Sequence, residues 1–228
     1  MKTRLLMTAG LALALAVGYF AVDAVNQHRL TSTFNRIYAD GTWGTDPAGA
    51  GTSGTGSTLA ITEEYRAYIE NFIRTRGVTS VVDAGCGDWR FSSAIEWGEA
   101  SYLGVDVASD VIAVVRSRHE KGRIRFQVGD ITDELPAADL LISKDVLQHL
   151  SNALVRRFIR NNLRPGKYKW VILTNDRGRG NADIASGGYR AIDLAAPPFD
   201  VDGLVDLPIR FGNEVTKITS LLDLTAPR

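Results

Sequence analysis

Asp83, Gly85 and Gly87 alternate at the end of a β-branched run, in Val81-Val82-Asp83-Ala84-Gly85-Cys86-Gly87-Asp88-Trp89. Glycines at that spacing let backbone N–H groups approach a ligand where a Cβ would intrude, as at a nucleotide-binding turn. Roughly twenty residues further on, Tyr102-Leu103-Gly104-Val105 ends in Asp106, where an acid accepts hydrogen bonds from ribose hydroxyls. Three more apolar runs end in polar residues: Ile124 to Val128 before Asp130-Ile131, Asp139 to Ser143 before Lys144-Asp145, and Trp170 to Thr174 before Asn175-Asp176. Open α/β sheets bind their ligands at such carboxyl ends. His149 follows Asp145 by one helical turn, so a helix starting after Ser143 would put both on one face. A carboxylate beside an imidazole orients the ring and raises its pKa, a pairing suited to a general base. The plainer alternative has Asp145 capping a turn and His149 packing between a strand and the next helix.

The elements that must position these residues read as alternating strands and helices. Helices are expected from Thr62 to Arg76 with Thr62 as N-cap, from Ala108 to Glu120, and from Ser151 to Leu163 with Ser151 as N-cap. The segment Val215 to Leu224 reads as a closing antiparallel strand. The expected fold class is α/β, a Rossmann-like doubly wound seven-stranded sheet with helices on both faces, ending in a β-hairpin and preceded by an N-terminal hydrophobic helix.

Lys and Arg number 26, as do Asp and Glu, so no net field favours nucleic acid, and none is expected as a partner. The single cysteine, Cys86, forbids an internal disulfide and reads as a small residue filling the glycine turn. Three segments are expected: 1–30, a membrane anchor or signal segment; 31–58, a Gly/Ser/Thr-rich linker or lid; and 59–228, the catalytic domain. Leu5 to Val22 carries no charge and is long enough as a helix to cross a hydrocarbon core. A cleaved signal peptide would look nearly the same; a single uncleaved span through residues 5–22 is preferred. Trp43 is an unusual residue for a spacer, which favours a lid in the segment around it.

The first motif, with Asp106 and Asp130-Ile131, resembles the class I S-adenosylmethionine-dependent methyltransferases over roughly Thr58 to Leu224. With Thr42-Trp43-Gly44, Gly54 to Leu59, Lys144 to Ser151 and Gly187-Gly188-Tyr189-Arg190, the chain is also similar to small bacterial and viral methyltransferases linked to glycan modification. The class I methyltransferase pattern usually has a third glycine near Asp88, which this chain lacks. The resemblance implies S-adenosyl-L-methionine as cofactor, with Asp83, Gly85, Gly87, Trp89, Asp106, Asp130, Ile131, Lys144 and Trp43 as its binding residues. It also implies that Lys144 and Asp145 face the transferring methyl group, with His149 as general base and Asp145 as its partner or a metal ligand. The implied reaction is methylation of a hydroxyl on a small-molecule or glycan acceptor. Because that cofactor is a cytosolic metabolite, a cytoplasmic domain behind the membrane span is preferred to a secreted or lumenal one, with the topology left open. Methylation of a lipid headgroup and a non-catalytic nucleotide-binding scaffold are the rivals. The acids Asp145, Asp176 and Asp183 would suit Mg²⁺.

Overall fold

The computed structural model describes residues 27–47, 49–213 and 216–225. Seven strands form one sheet: β1 (Ser80–Ala84), β2 (Ser101–Asp106), β3 (Ile124–Val128), β4 (Leu140–Lys144), β5 (Trp170–Asp176), β6 (Leu204–Leu207) and β7 (Lys217–Asp223). Their spatial order is β3-β2-β1-β4-β5-β7-β6. The first five are parallel, and β7 runs antiparallel to both β5 and β6. Strand order reverses between β1 and β4, which opens a crevice above their carboxyl ends.

Side-chain alternation along the strands divides the core in two. Val82, Ala84, Leu141, Val171 and Leu173 point to one face, joined by Phe34 of α1 (27–39) and by Val155 and Phe158 of α4 (Asn152–Asn162). Val81, Tyr102, Leu140, Ile142 and Ile172 point to the other, under Tyr65, Ile69 and Phe72 of α2 (Glu63–Arg76) and Ile112 and Val115 of α3 (Ser109–His119). Both faces are covered, so the strands read as near-continuous apolar runs.

Helix ends follow the sequence closely, with one difference. Gly77 closes α2 in the left-handed region at φ +62°, and Ser151 accepts a bond from Leu154 N at the start of α4. Thr62 precedes α2 but makes no capping bond; its hydroxyl donates backwards to Thr58 O at 2.8 Å.

The boundary expected at residue 30 falls inside α1. Leu30, Phe34 and Tyr38, at helical spacing, are each less than 9% exposed and join the core. Burying each aromatic ring stabilises the attachment by roughly 1.5–3 kcal/mol. Asn35 fastens the helix to α3, donating to Ser109 Oγ and accepting from Asp110 N. Part of the segment expected as linker is therefore core helix. The expected membrane span, residues 5–22, lies outside the described residues. Among the described residues no helix is long and apolar enough to cross a membrane.

Candidate active site

At the end of β1 the chain turns through Gly85 at φ +88° and Gly87 at φ +53°, angles that side chains other than glycine's rarely tolerate. A Cβ on Gly85 would lie 2.3 Å from Val146, so the turn is pressed against the chain leaving β4. Asp106 is held by two backbone donors, Gly87 N at 3.0 Å to one oxygen and Ala108 N at 2.9 Å to the other. Burial raises the Asp106 pKa against the pull of those N–H groups. Asp130 accepts from Thr132 N at 2.8 Å, and Ile131 follows it along the cavity wall.

Two of the expected binding residues stand apart from the cavity. Asp83 is 3% exposed and accepts from the Tyr102 hydroxyl at 2.6 Å, beneath the turn. Burial pushes its pKa up to about 7 although the tyrosine bond opposes the rise. Trp89 adopts φ +56° and swings into the opposite core, against Tyr102, Phe126 and His119. Asp83 and Trp89 therefore support the turn from below.

The cavity has a roof built from the chain before α2. Trp43 packs on Phe34 and Tyr38 of α1 and on His149, with ring centroids 6.0, 5.4 and 4.9 Å away. Ser53 clasps the glycine turn: its N donates to Asp88 Oδ2 and its Oγ accepts from Asp88 N, both at 3.0 Å. Tyr38 OH meets the same Oγ at 2.9 Å. Asp88 thus uses its side chain to hold the roof. Gly87 must lack a Cβ here, since one would come 2.4 Å from Ser53 Oγ.

At the other end, the chain does not continue as a helix after Ser143. Asp145 takes a left-handed φ of +58°, and a single 3₁₀ turn follows over Leu147–His149. The Asp145 carboxylate is instead gripped by two buried lysines, Lys144 at 2.5 Å and Lys217 at 2.7 Å. Those ammonium groups hold its pKa down in spite of burial, which acts the other way and is the largest influence. Lys144 also donates to Gly56 O at 2.8 Å, tying the roof to this end. His149 bonds through Nδ1 to Gly188 O at 2.8 Å. A carbonyl has no proton to give, so Nδ1 carries the hydrogen and Nε2 is the acceptor. Burial lowers the His149 pKa and outweighs the Gly188 bond and Asp145, which favour the cation. The expected ion-pair partnership of Asp145 with His149 is thereby replaced by one with lysines.

The Mg²⁺ expectation finds no support in these side chains. Lys217 lies 2.7 Å from Asp145 and 3.6 Å from Asp176, where a cation between the two acids would sit. Asp183 accepts from the N–H groups of Asn152 and Ile184 through one of its oxygens. Among the described residues no group of three or more His, Cys, Asp or Glu side chains is placed to hold a metal ion.

One cavity of about 370 Å³ joins both ends, within the range of small-molecule sites, roughly 300–1,000 Å³. Gly85, Gly87, Asp106, Asp130, Ile131, Lys144, Asp145, His149 and Trp43 all line it. Residues 81–166, covering β1 to the start of the loop before β5, match a family model described as a methyltransferase domain. Over that part of its length the chain is similar to methyltransferase domains.

Solved structures with the same fold include the N-methyltransferase NodS from Bradyrhizobium japonicum WM9 bound to S-adenosyl-L-homocysteine. It has 15% identity and a TM-score of 0.56 over 73% of this chain and 88% of that one. An O-methyltransferase family protein from Burkholderia thailandensis has 13% identity and a TM-score of 0.53, over 75% of this chain and 58% of that one. At these identities the likeness is one of fold. A sequence search finds no matching curated protein.

The cavity has features that suit a nucleoside cofactor. One end offers a largely buried carboxylate at Asp106, a glycine turn without side chains, and the apolar Ile131 beside Asp130. Two further lining residues, Tyr38 and Lys217, lie outside the motifs quoted above. For Tyr38 the signal available was the Leu30, Phe34, Tyr38 spacing, which continues the helical period past the end of the apolar run.

Proposed function

We propose that the protein transfers a methyl group from S-adenosylmethionine to a hydroxyl of a small-molecule or glycan acceptor, with His149 as the base. The observation that carries this reading is the state of His149. It lies in the same cavity as the cofactor-type turn, and it is kept neutral with Nε2 free to accept. When bound, S-adenosylmethionine supplies an electrophilic methyl group on a sulfonium, already a good leaving group. The protein's own work is then alignment and proton removal. Asp106, Asp130 and the Gly85–Gly87 turn would hold the nucleoside end. Trp43 and Tyr189 flank the His149 ring, with centroids 4.9 and 5.9 Å away, and give the acceptor an aromatic wall. His149 Nε2 takes the hydroxyl proton as the acceptor oxygen is alkylated.

The glycan class of acceptor is supported by the sequence resemblance and by that wall, where Tyr189 is 59% exposed at the cavity mouth. The uncharged run from Leu5 to Val22 supports membrane attachment, with the catalytic domain on the cytoplasmic side where S-adenosylmethionine is made.

Calorimetric titration of the full chain with S-adenosylmethionine, S-adenosylhomocysteine and NAD tests the cofactor reading. Binding of the two sulfur ligands and not of NAD is expected, and silence toward both sulfur ligands would overturn it. Radiolabelled methyl transfer to a panel of sugars, phenols and amines, with base-stable label in the product, then tests the hydroxyl assignment.

A further inference from the structure

Lys217 is the first residue of β7, paired in register with Asp176 at the end of β5. Its side chain is 4% exposed, and its ammonium bridges two acids from different strand ends, Asp145 at 2.7 Å and Asp176 at 3.6 Å. The remaining oxygen of Asp176 accepts from Tyr189 OH at 3.1 Å. Asp145, Asp176, Lys217, Tyr189 and His149 all line the cavity together. Burying a lysine costs several kcal/mol unless it is well paired, roughly as much as a core contact returns. A strand that only closes the sheet would place an apolar residue at this register. A cation here therefore answers a need of the site.

That need is visible in what surrounds His149. Asp145 approaches from the turn after β4, Asp176 from the end of β5 and Lys217 from β7. Tyr189 and the Gly188 carbonyl come from the loop before β6, and the uncharged Trp43 covers the ring from the roof. Two carboxylates beside an imidazole favour its cation, and an imidazole already protonated cannot accept the acceptor's proton. Lys217 opposes both acids from the position between them.

We propose that Lys217 is a positioning residue of the acceptor end, acting on His149 through the two carboxylates that it bridges. Without it, Asp145 and Asp176 would draw the imidazole toward its cation against the effect of burial, and would also repel each other. With it, the acids remain placed to stabilise the imidazolium formed once the proton has moved. This assignment rests on the reading of His149 as the base.

The test is NMR of the full chain labelled at histidine, following each imidazole across pH. The sequence has three histidines, and His149→Ala identifies the relevant signals. Lys217→Met is expected to move the His149 midpoint to higher pH, and Lys217→Arg to leave it near that of the wild type. Asp176→Asn should move it the other way, with the carboxylate gone and the ammonium kept. A His149 midpoint that stays put in Lys217→Met would overturn the proposal. Should Lys217→Met fail to fold, Asp176→Asn decides alone, and a midpoint unmoved or raised there overturns it. A purely structural lysine would alter melting temperature and leave the imidazole titration alone. Because the titration needs neither methyl donor nor acceptor, its failure is distinct from a failure of the methyl-transfer reading, which the calorimetry addresses.

Discussion

Asp83 and Asp145 stand at the carboxyl edges of adjacent strands, both largely shielded from water, and they are stabilised in opposite ways. Asp83 has a phenol for a partner and a pKa raised to about 7 by burial. Asp145 has two ammonium groups and a pKa held below the ordinary carboxylate value. The first acid shapes a turn with hydrogen bonds and needs no charge to do so. The second belongs to a chain of alternating charges, Lys144, Asp145, Lys217 and Asp176, that reaches the acceptor end of the cavity. The nucleoside end is accordingly built from backbone and isolated acids, and the acceptor end from compensated ion pairs.

The sharpest way to break this contrast is to remove the group that the charged end serves. His149→Ala should lower methyl transfer by about 10²–10⁴-fold, the usual worth of a general base. Binding of S-adenosylmethionine, measured by calorimetry, should survive, since the nucleoside end is untouched. Full turnover in that variant would show that another group takes the proton.

Next in size is the loss of one partner from the ion-pair chain. Lys144→Met leaves Asp145 with one lysine and unfastens Gly56, so stability in urea should fall by roughly 3–5 kcal/mol. A loss under about 1 kcal/mol would mean that the pair is hydrated and weak.

Asp83 supplies the opposite test through pH. Its folded pKa lies above its unfolded one, so its contribution to stability is full below about pH 4. That contribution falls away as pH rises toward about 7, by roughly 1.4 kcal/mol per pH unit at its steepest. Asp83→Asn should keep the bond from Tyr102 and remove this slope from a series of denaturation curves. An unchanged slope would assign the pH dependence to another group. The smallest effect is expected at the clasp between roof and turn. Ser53→Ala removes the side-chain bonds to Asp88 and Tyr38 and should cost about 1 kcal/mol. It should also weaken cofactor binding modestly, through faster dissociation.

The same division explains what could be read from sequence. The nucleoside end sits on contiguous strand-to-turn segments, so Gly85, Gly87, Asp106 and Asp130 were each legible from a strand and its last residues. The sheet was legible for the same reason, since each buried strand is an apolar run with a polar stop. Asp83 and Trp89 belong to the same motif, yet the turn points one down to Tyr102 and the other into the far core. Nothing in the local pattern distinguishes a residue that lines a cavity from one that braces it. The acceptor end is assembled from four separated segments, and Lys217 comes into it only through the register of β7 on β5. The helical pairing of Asp145 with His149 failed because Asp145 adopts a left-handed φ, a choice set by the packing of Gly85 on Val146 and the bond from Asp145 N to Thr174 O. Trp43 marked the roof as more than a spacer, but the wall made by α1 was harder to read, because α1 comes soon after an apolar run whose composition masks the start of a new period.

Leu30, Phe34 and Tyr38 of α1 form part of the cavity wall, about fifty residues ahead of the segment that carries the family signature. A protein trimmed at residue 40 would keep every strand and the whole matched segment. It would also expose the underside of Trp43 and open the cavity to water from one side. Shortened versions made for screening acceptors should therefore begin no later than residue 27.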